Sequence, residues 1–189
     1  MSNVGIVYHT GTGYTGLLAD AVAEGVTRAG AAPLLVQIEP GDIVDGRFEN
    51  EAVFAPLDDC DAIVFGTPTY MGAVSAQLKA FMDASVARWY SRAWAGKVAA
   101  AFTVSATPSG DKLNALVDTV VFALQHGMIW VGHDESPVNA EQANRLGVYL
   151  GVAAQPDPNA AEPSLMAGDA ISGEKLGARV AALAARLRA

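Results

Sequence analysis

Of the 189 residues 51% are apolar, and 20 acidic side chains outnumber 12 basic ones for a net charge of −8. Such a chain can bury roughly 70% of its unfolded surface around one core, and its charge argues against nucleic acid or an anionic membrane as a partner. The lone Cys60 excludes an intramolecular disulfide framework, and the longest apolar run, the six residues Val180 to Ala185, is far short of the roughly 20 that span a bilayer, so the expectation is one cytoplasmic domain over residues 1–189 with no membrane insertion.

Along the chain, short β-rich segments alternate with helical periodicity, the pattern of β-α-β units and a parallel sheet. The first strand is expected over residues 3–8 (NVGIVY), followed by a helix with Leu18, Val22 and Val26 on one face and Gly30 at its stop. A second strand covers 33–38 (PLLVQI), and a connection rich in Gly, Pro, Asn and Asp fills 39–60. The third, 61–66 (DAIVFG), passes through the turn GTPTYMG into a helix carrying Leu78, Phe81 and Met82. The fourth, 97–104 (KVAAAFTV), precedes a helix with Leu113, Leu116, Val117, Val120 and Leu124 and a stop at Gly127. The fifth, 128–132 (MIWVG), leads into a second long connection, 133–170, and a final helix with Leu176, Val180, Leu183 and Leu187. Each apolar stripe is expected to cover one side of the sheet, and the strands to be apolar on both faces.

The segment HTGTGYTG places Gly11, Gly13 and Gly16 in the spacing G-x-G-x-x-G between the first strand and the first helix. Backbone amides and the positive end of a helix dipole meet there, so the expected guest is an anion. A nucleoside-triphosphate loop needs a Gly-Lys-Ser or Gly-Lys-Thr ending, and residues 1–27 contain no lysine or arginine. A dinucleotide site is supported by Glu39, which ends the second strand at a distance suited to a ribose hydroxyl. A mononucleotide is supported by Thr10, Thr12 and Thr15, three hydroxyls around one turn that suit the three oxygens of a terminal phosphate. A bare helix cap needs only one of those threonines.

Thr10-Gly11-Thr12-Gly13-Tyr14-Thr15 resembles the phosphate loop of flavodoxin-like FMN proteins. The segments DAIVFGTPTYMGAVSAQLKAFMDAS (61–85), GKVAAAFTVSATPSG (96–110), QHGMIWVG (125–132) and AVAEG (21–25) are similar, in order, to the WrbA-type NAD(P)H:quinone oxidoreductases. The resemblance implies an α/β, flavodoxin-like doubly wound five-stranded parallel sheet, order 2-1-3-4-5, with helices on both faces. In such a sheet ligands bind outside the carboxyl ends of the strands, where loops 9–15, 67–73 and 105–111 meet. By resemblance, Thr10 to Thr15, Tyr14 included, hold the phosphate of FMN, and Pro68, Thr69, Tyr70, Met71 and Gly72 line its isoalloxazine ring. Ser105, Ala106, Thr107, Pro108, Ser109 and Gly110 close the other side. Trp89, with Tyr70 and Met71, matches the quinone pocket, although Trp89, Tyr90 and Trp94 read equally well as an aromatic packing patch.

Thr12 stands where the family carries an aromatic, Tyr70-Met71 where it commonly has Arg-Phe, and Gln125-His126 where it has His-His. Because His126 belongs to the last turn of the fourth helix, at the edge of the sheet away from the loops, its contact and that of Gln125 with a cofactor are expected across a subunit interface. His9 is expected to orient the phosphate or bond locally, and His133 to be an exposed strand-end residue. The implied activity is two-electron transfer from NADH or NADPH to a quinone-like acceptor by a homodimer or homotetramer, the flavin carrying the chemistry with no side chain as proton-transfer catalyst. A flavodoxin-type one-electron carrier, with an acidic surface that docks a basic redox partner, is the competing reading, and an FMN-less scaffold a third.

Overall fold

The computed structural model describes residues 1–188. Strand β1 (Asn3–Tyr8) enters helix α1 (Tyr14–Arg28), and β2 (Ala32–Gln37) follows. The connection after it carries elements of its own: β3 (Ile43–Val44), β4 (Arg47–Phe48) and α2 (Phe54–Asp58). The β3–β4 hairpin turns at Asp45 and Gly46, both at positive φ (48° and 77°), an Asp-Gly turn of the type that matches strand twist. Then come β5 (Ala62–Tyr70), β6 (Ala73–Val74), α3 (Ala76–Ala84), α4 (Val86–Ser91), β7 (Val98–Val104), α5 (Lys112–Gln125), β8 (Ile129–Trp130), β9 (Val152–Ala154) and α6 (Ala167–Arg188). No helix among the described residues is long and apolar enough to cross a membrane.

The main path through the sheet is β2-β1-β5-β7-β8, parallel throughout, which is the expected 2-1-3-4-5 order. Alternation along each strand divides the core in two. Val4, Ile6, Val64, Val98, Ala100 and Phe102 face α1 and α6, whereas Val7, Ile63, Phe65, Ala99 and Ala101 face α2, α3 and α5. Strand β2, at the edge, is only half-buried, so it departs from the expectation of strands covered on both faces.

Four other expectations need correction. The fifth strand is split: β8 pairs with the lower half of β7, the chain leaves the sheet, and β9 returns to pair Val152, Ala153 and Ala154 with Phe102, Thr103 and Val104. The connection expected over 133–170 therefore contains the upper half of that strand. Leu113, Val117 and Leu124, expected on the sheet side of α5, are exposed, because the side that docks on the sheet carries Lys112, Ala115, Leu116, Thr119 and Ala123. His133 is buried, not exposed, since its amide donates to Tyr149 O (2.9 Å) and pulls it under the excursion that splits the strand. In α6, Leu176 and Val180 are buried as expected, whereas Leu187 is exposed.

Helices α1 and α6 pack closely through glycines. A Cβ on Gly177 would land on the backbone of Val22, and one on Gly25 on the backbone of Glu174. A Cβ on Gly173 would sit 2.8 Å from Leu18 Cδ1. On the opposite face, Phe54 stacks on Phe81 with ring centroids 5.0 Å apart, and Phe48 meets the edge of Phe81 at 5.4 Å, so the segment after β2 becomes part of this core.

His126 belongs to the same aromatic layer, with centroids 4.7 Å from Trp94 and 4.8 Å from Phe122. Ser85 Oγ gives its only proton to Met82 O (2.7 Å), so it must accept at 2.9 Å from His126 Nε2. The neutral Nε2–H tautomer follows, with Nδ1 buried and unpartnered.

Gly177→Ala is expected to cost about 1–3 kcal/mol, because the added methyl forces two helix backbones apart. Gly16→Ala, where a Cβ meets only ordinary contacts at 3.8 and 3.9 Å, is expected to be neutral or to gain up to about 1 kcal/mol; urea unfolding of both variants checks the contrast. Burial, with the Arg92 charge adding, holds His126 down to about 4. The unfolded chain takes up that proton near pH 6.5 and the folded chain only near 4, so stability falls as pH drops through this window, by about 1–3 kcal/mol. His126→Gln, which keeps a donor for Ser85, is expected to flatten that part of the curve in urea titrations at pH 7, 5.5 and 4.5.

Candidate functional site

Because β1, β5 and β7 are parallel neighbours, the loops that leave their carboxyl ends are brought side by side. The first is tied to the sheet by His9, whose amide donates to Gly66 O (3.1 Å). Thr10 follows with its hydroxyl oxygen buried and without a partner. Gly11, Thr12 and Gly13 are exposed, and α1 starts on Gly13 in a left-handed conformation (φ 89°) with no side-chain cap and no acidic residue in its first turn. Among the described residues, the amides of Gly11, Thr12 and Gly13 donate to nothing, so the positive end of α1 is open to an anion.

Tyr14 is half-buried and Thr15 is buried, both within the first turn of α1. His9 Nδ1 lies 3.0 Å from Ser75 Oγ, which itself accepts from Leu78 N (3.2 Å) at the start of α3. Burial pushes the His9 pKa down, which favours the neutral ring. His9 thus bonds locally, to the cap of α3.

The GTPTYMG segment is not a strand-to-helix turn. β5 continues through Thr69 and Tyr70 and folds back on β6, pairing Thr69 with Val74 and Tyr70 with Ala73. Met71 and Gly72 form the two-residue turn, at φ 49° and 78°. Three bonds fix this hairpin. Thr69 Oγ1 lies 2.7 Å from Thr103 Oγ1, Asn114 Nδ2 donates to Gly72 O (2.8 Å), and Ser75 N donates to Thr67 Oγ1 (3.0 Å). Pro68 is buried in the strand, Met71 is fully exposed at the tip, and the Tyr70 hydroxyl lies where a Cβ on Gly11 would be. Glycine at 11 is what lets the hairpin reach the first loop.

The third loop leaves β7 after Ser105 N donates to Ala154 O (3.2 Å), so β9 fixes its root. Ala106, Thr107, Pro108 and Ser109 are exposed, and Gly110 and Asp111 return the chain to α5 with two successive left-handed residues, both at φ 52°. Behind this loop lies Lys112, 1% exposed, a residue the sequence reading passed over. Its signal was weak: a lysine directly after a polar loop reads as a solvated helix start.

The other expected site residues lie elsewhere. The 14 residues of α5 extend about 21 Å, so Gln125, exposed, and His126, buried, stand at the far end of the helix from the loops. Trp89 and Trp94 do not form one patch. Trp94 is fully buried and donates to Asp58 Oδ1 (2.6 Å), whereas Trp89 is 41% exposed and packs edge-on against Tyr90. Trp89 borders a groove of ≈ 830 Å³ together with Val74, Met82, Val86, Val121 and Phe122. The groove runs from the hairpin along α5 to His126, and so joins the two ends of the expected site. No group of three or more metal-ligating side chains occurs among the described residues.

Residues 6–143 match the family model described as NADPH-dependent FMN reductase. The chain is 37% identical to the protein named flavodoxin FldP of Pseudomonas aeruginosa, with 100% of both chains covered. It is 33% identical to an NAD(P)H dehydrogenase (quinone) of Archaeoglobus fulgidus, covering 99% of this chain and 100% of that one. In structure it is similar to a flavodoxin, WrbA-like protein from Agrobacterium tumefaciens, with a TM-score of 0.75, 40% identity, and 98% and 99% of the two chains covered. With the parallel order of the sheet and the open start of α1 already established, these likenesses show that the chain belongs to the NADPH-dependent FMN reductase family, among its flavodoxin-like, WrbA-type members.

Proposed function

We propose that the chain is an FMN-dependent oxidoreductase that moves two electrons from NADH or NADPH to a quinone or similar small acceptor. The observation that carries this reading is the open start of α1, where the amides of Gly11, Thr12 and Gly13 have no acceptor and the Thr10 hydroxyl just before them is buried and unpartnered. A terminal phosphate monoester, with three acceptor oxygens and roughly −1.5 to −2 charges, suits that donor set without a salt bridge. Bound FMN would supply the hydride and electron chemistry.

In this reading the chain binds and orients. Thr10 to Thr15 hold the phosphate, Pro68 to Gly72 present the hairpin to one side of the ring, and Ser105 to Gly110 close the other. Tyr70 and Met71 border the place where donor and acceptor would alternate, and Trp89 lines the groove that leads away from it. Gln125 would reach a cofactor only in a second copy of the chain, as a homodimer or homotetramer allows, with buried His126 fixing the helix end from which Gln125 projects. A cytoplasmic location fits the single thiol, Cys60, which burial pushes up to about 11 and keeps unreactive. Residues 1–189 are taken as one domain, in keeping with two core layers on one sheet.

A one-electron carrier is the second reading, favoured by the whole-length likeness to a protein named flavodoxin and by the acidic surface. Purified protein mixed with NADH or NADPH and benzoquinone separates the two. Fast oxidation of the nicotinamide supports the enzyme, and its absence in protein loaded with FMN supports the carrier. Thr10→Val is expected to weaken FMN about 10- to 100-fold in a fluorescence titration, through loss of a hydrogen bond to a charged group, and to leave riboflavin, which lacks the phosphate, unchanged.

A further inference from the structure

Three successive carbonyls of the 105–110 loop are held by a polar network built on two buried charges, Lys112 and Asp169. Lys112 Nζ donates to Thr107 O and, at 3.3 Å, to Pro108 O. Gln155 Nε2 donates to Ala106 O (2.7 Å). Gln155 is fixed in turn: its amide donates to Asp169 Oδ2 (2.8 Å), and Arg145 donates to both Gln155 Oε1 (2.7 Å) and Asp169 Oδ2 (2.8 Å). Asp169, 1% exposed at the start of α6, is the only carboxylate among the groups that raise the Lys112 pKa, and Arg145 opposes it.

The orientation of the loop follows from peptide geometry. Across a planar trans peptide, C=O and N–H point in opposite directions, so a carbonyl drawn inward turns the next amide outward. The carbonyls of Ala106 and Pro108 therefore turn out the amides of Thr107 and Ser109, and Pro108 has no amide to offer. Among the described residues neither amide has a protein acceptor. Two cations and one carboxylate leave this network with a net positive charge beneath the loop. Burying an ammonium is costly, and closing the loop alone would not require one.

We propose that Lys112 is a positioning residue for the ring of the bound flavin. Its ammonium grips the 105–110 loop so that the amides of Thr107 and Ser109 face the cleft opposite the Tyr70 hairpin, and its charge stands behind that edge. The inference rests on the FMN reading above and assigns a role to a side chain that touches no ligand. Burial holds Lys112 down to about 8, with Asp169 from α6 working against the shift and Arg145 from the strand-splitting excursion adding to it. The grip therefore loosens as pH rises through about 8.

The test uses the full chain stripped of flavin and titrated with FMN and with riboflavin by fluorescence quenching, with circular dichroism and thermal midpoint measured on each apoprotein. Lys112→Met is expected to weaken both flavins by the same factor, about 10- to 100-fold, because the loop meets the ring and not the phosphate. Wild-type affinity for riboflavin is expected to fall between pH 7 and 9, and that of Lys112→Met to stay flat. Equal riboflavin affinity in wild type and a folded Lys112→Met, or an unchanged pH profile in the variant, overturns the inference. Should Lys112→Met fail to fold, Gln155→Ala, which frees Ala106 O and one Arg145 donor but leaves Lys112 in place, decides: severalfold weaker riboflavin binding supports the inference, and unchanged binding overturns it. A wild-type chain that takes neither flavin overturns the FMN reading and this inference with it, whereas a wild type that binds while both variants bind equally well overturns the inference alone.

Discussion

A parallel sheet covered on both faces must pair its backbone groups sideways, so the chain can enter and leave only at strand ends. Most of this molecule follows from that constraint. The loops after β1, β5 and β7 fall together because the strands are neighbours running the same way, and the order reverses beside β1, where a crevice opens. Glycine sets the thickness of one covering layer. At Gly25 and Gly177, α1 and α6 touch backbone to backbone, and at Gly173 the Leu18 side chain fills the space a methyl would need.

The two loops present hydrogen-bond donors by different physics. On the first loop there is no cation at all, and attraction comes from a helix dipole, free amides and a hydroxyl. On the 105–110 loop a buried lysine orients amides that are themselves neutral. Neither device is found by counting basic residues, and the net charge of −8 does not speak against either.

The sequence made some of this plain. Leu18, Val22 and Val26 in α1, and Leu78, Phe81 and Met82 in α3, repeat at helical spacing and are buried where the spacing places them. Helix α5 misled because Leu113, Val117 and Leu124 form a stripe as good as any core face, while its true inner face includes Lys112 and Thr119. Periodicity finds a face but not which neighbour it meets. The short strand β9 was illegible, since three small residues after a glycine carry almost no β signal, and pairing with β7 alone makes them a strand. The turn at Gly13 and the open start of α1 after it could be read because they depend only on local sequence. The network of Lys112, Arg145, Gln155 and Asp169 could not, because its members come from separate elements and each is unremarkable by itself.

The split in the fifth strand has a consequence for how such a chain can change. The excursion between β8 and β9 begins and ends beside β7, and Trp130 Nε1 donating to Leu150 O (2.9 Å) ties its two feet together. Lengthening a loop whose ends are already fixed costs little extra closure entropy, about 0.6 kcal/mol for each doubling. This segment can therefore change in length while the sheet keeps its register. Arg145, which steadies the network behind the 105–110 loop, sits on it. A change of length there can thus be felt at the 105–110 loop, through Arg145 and Gln155, with the sheet left as it is.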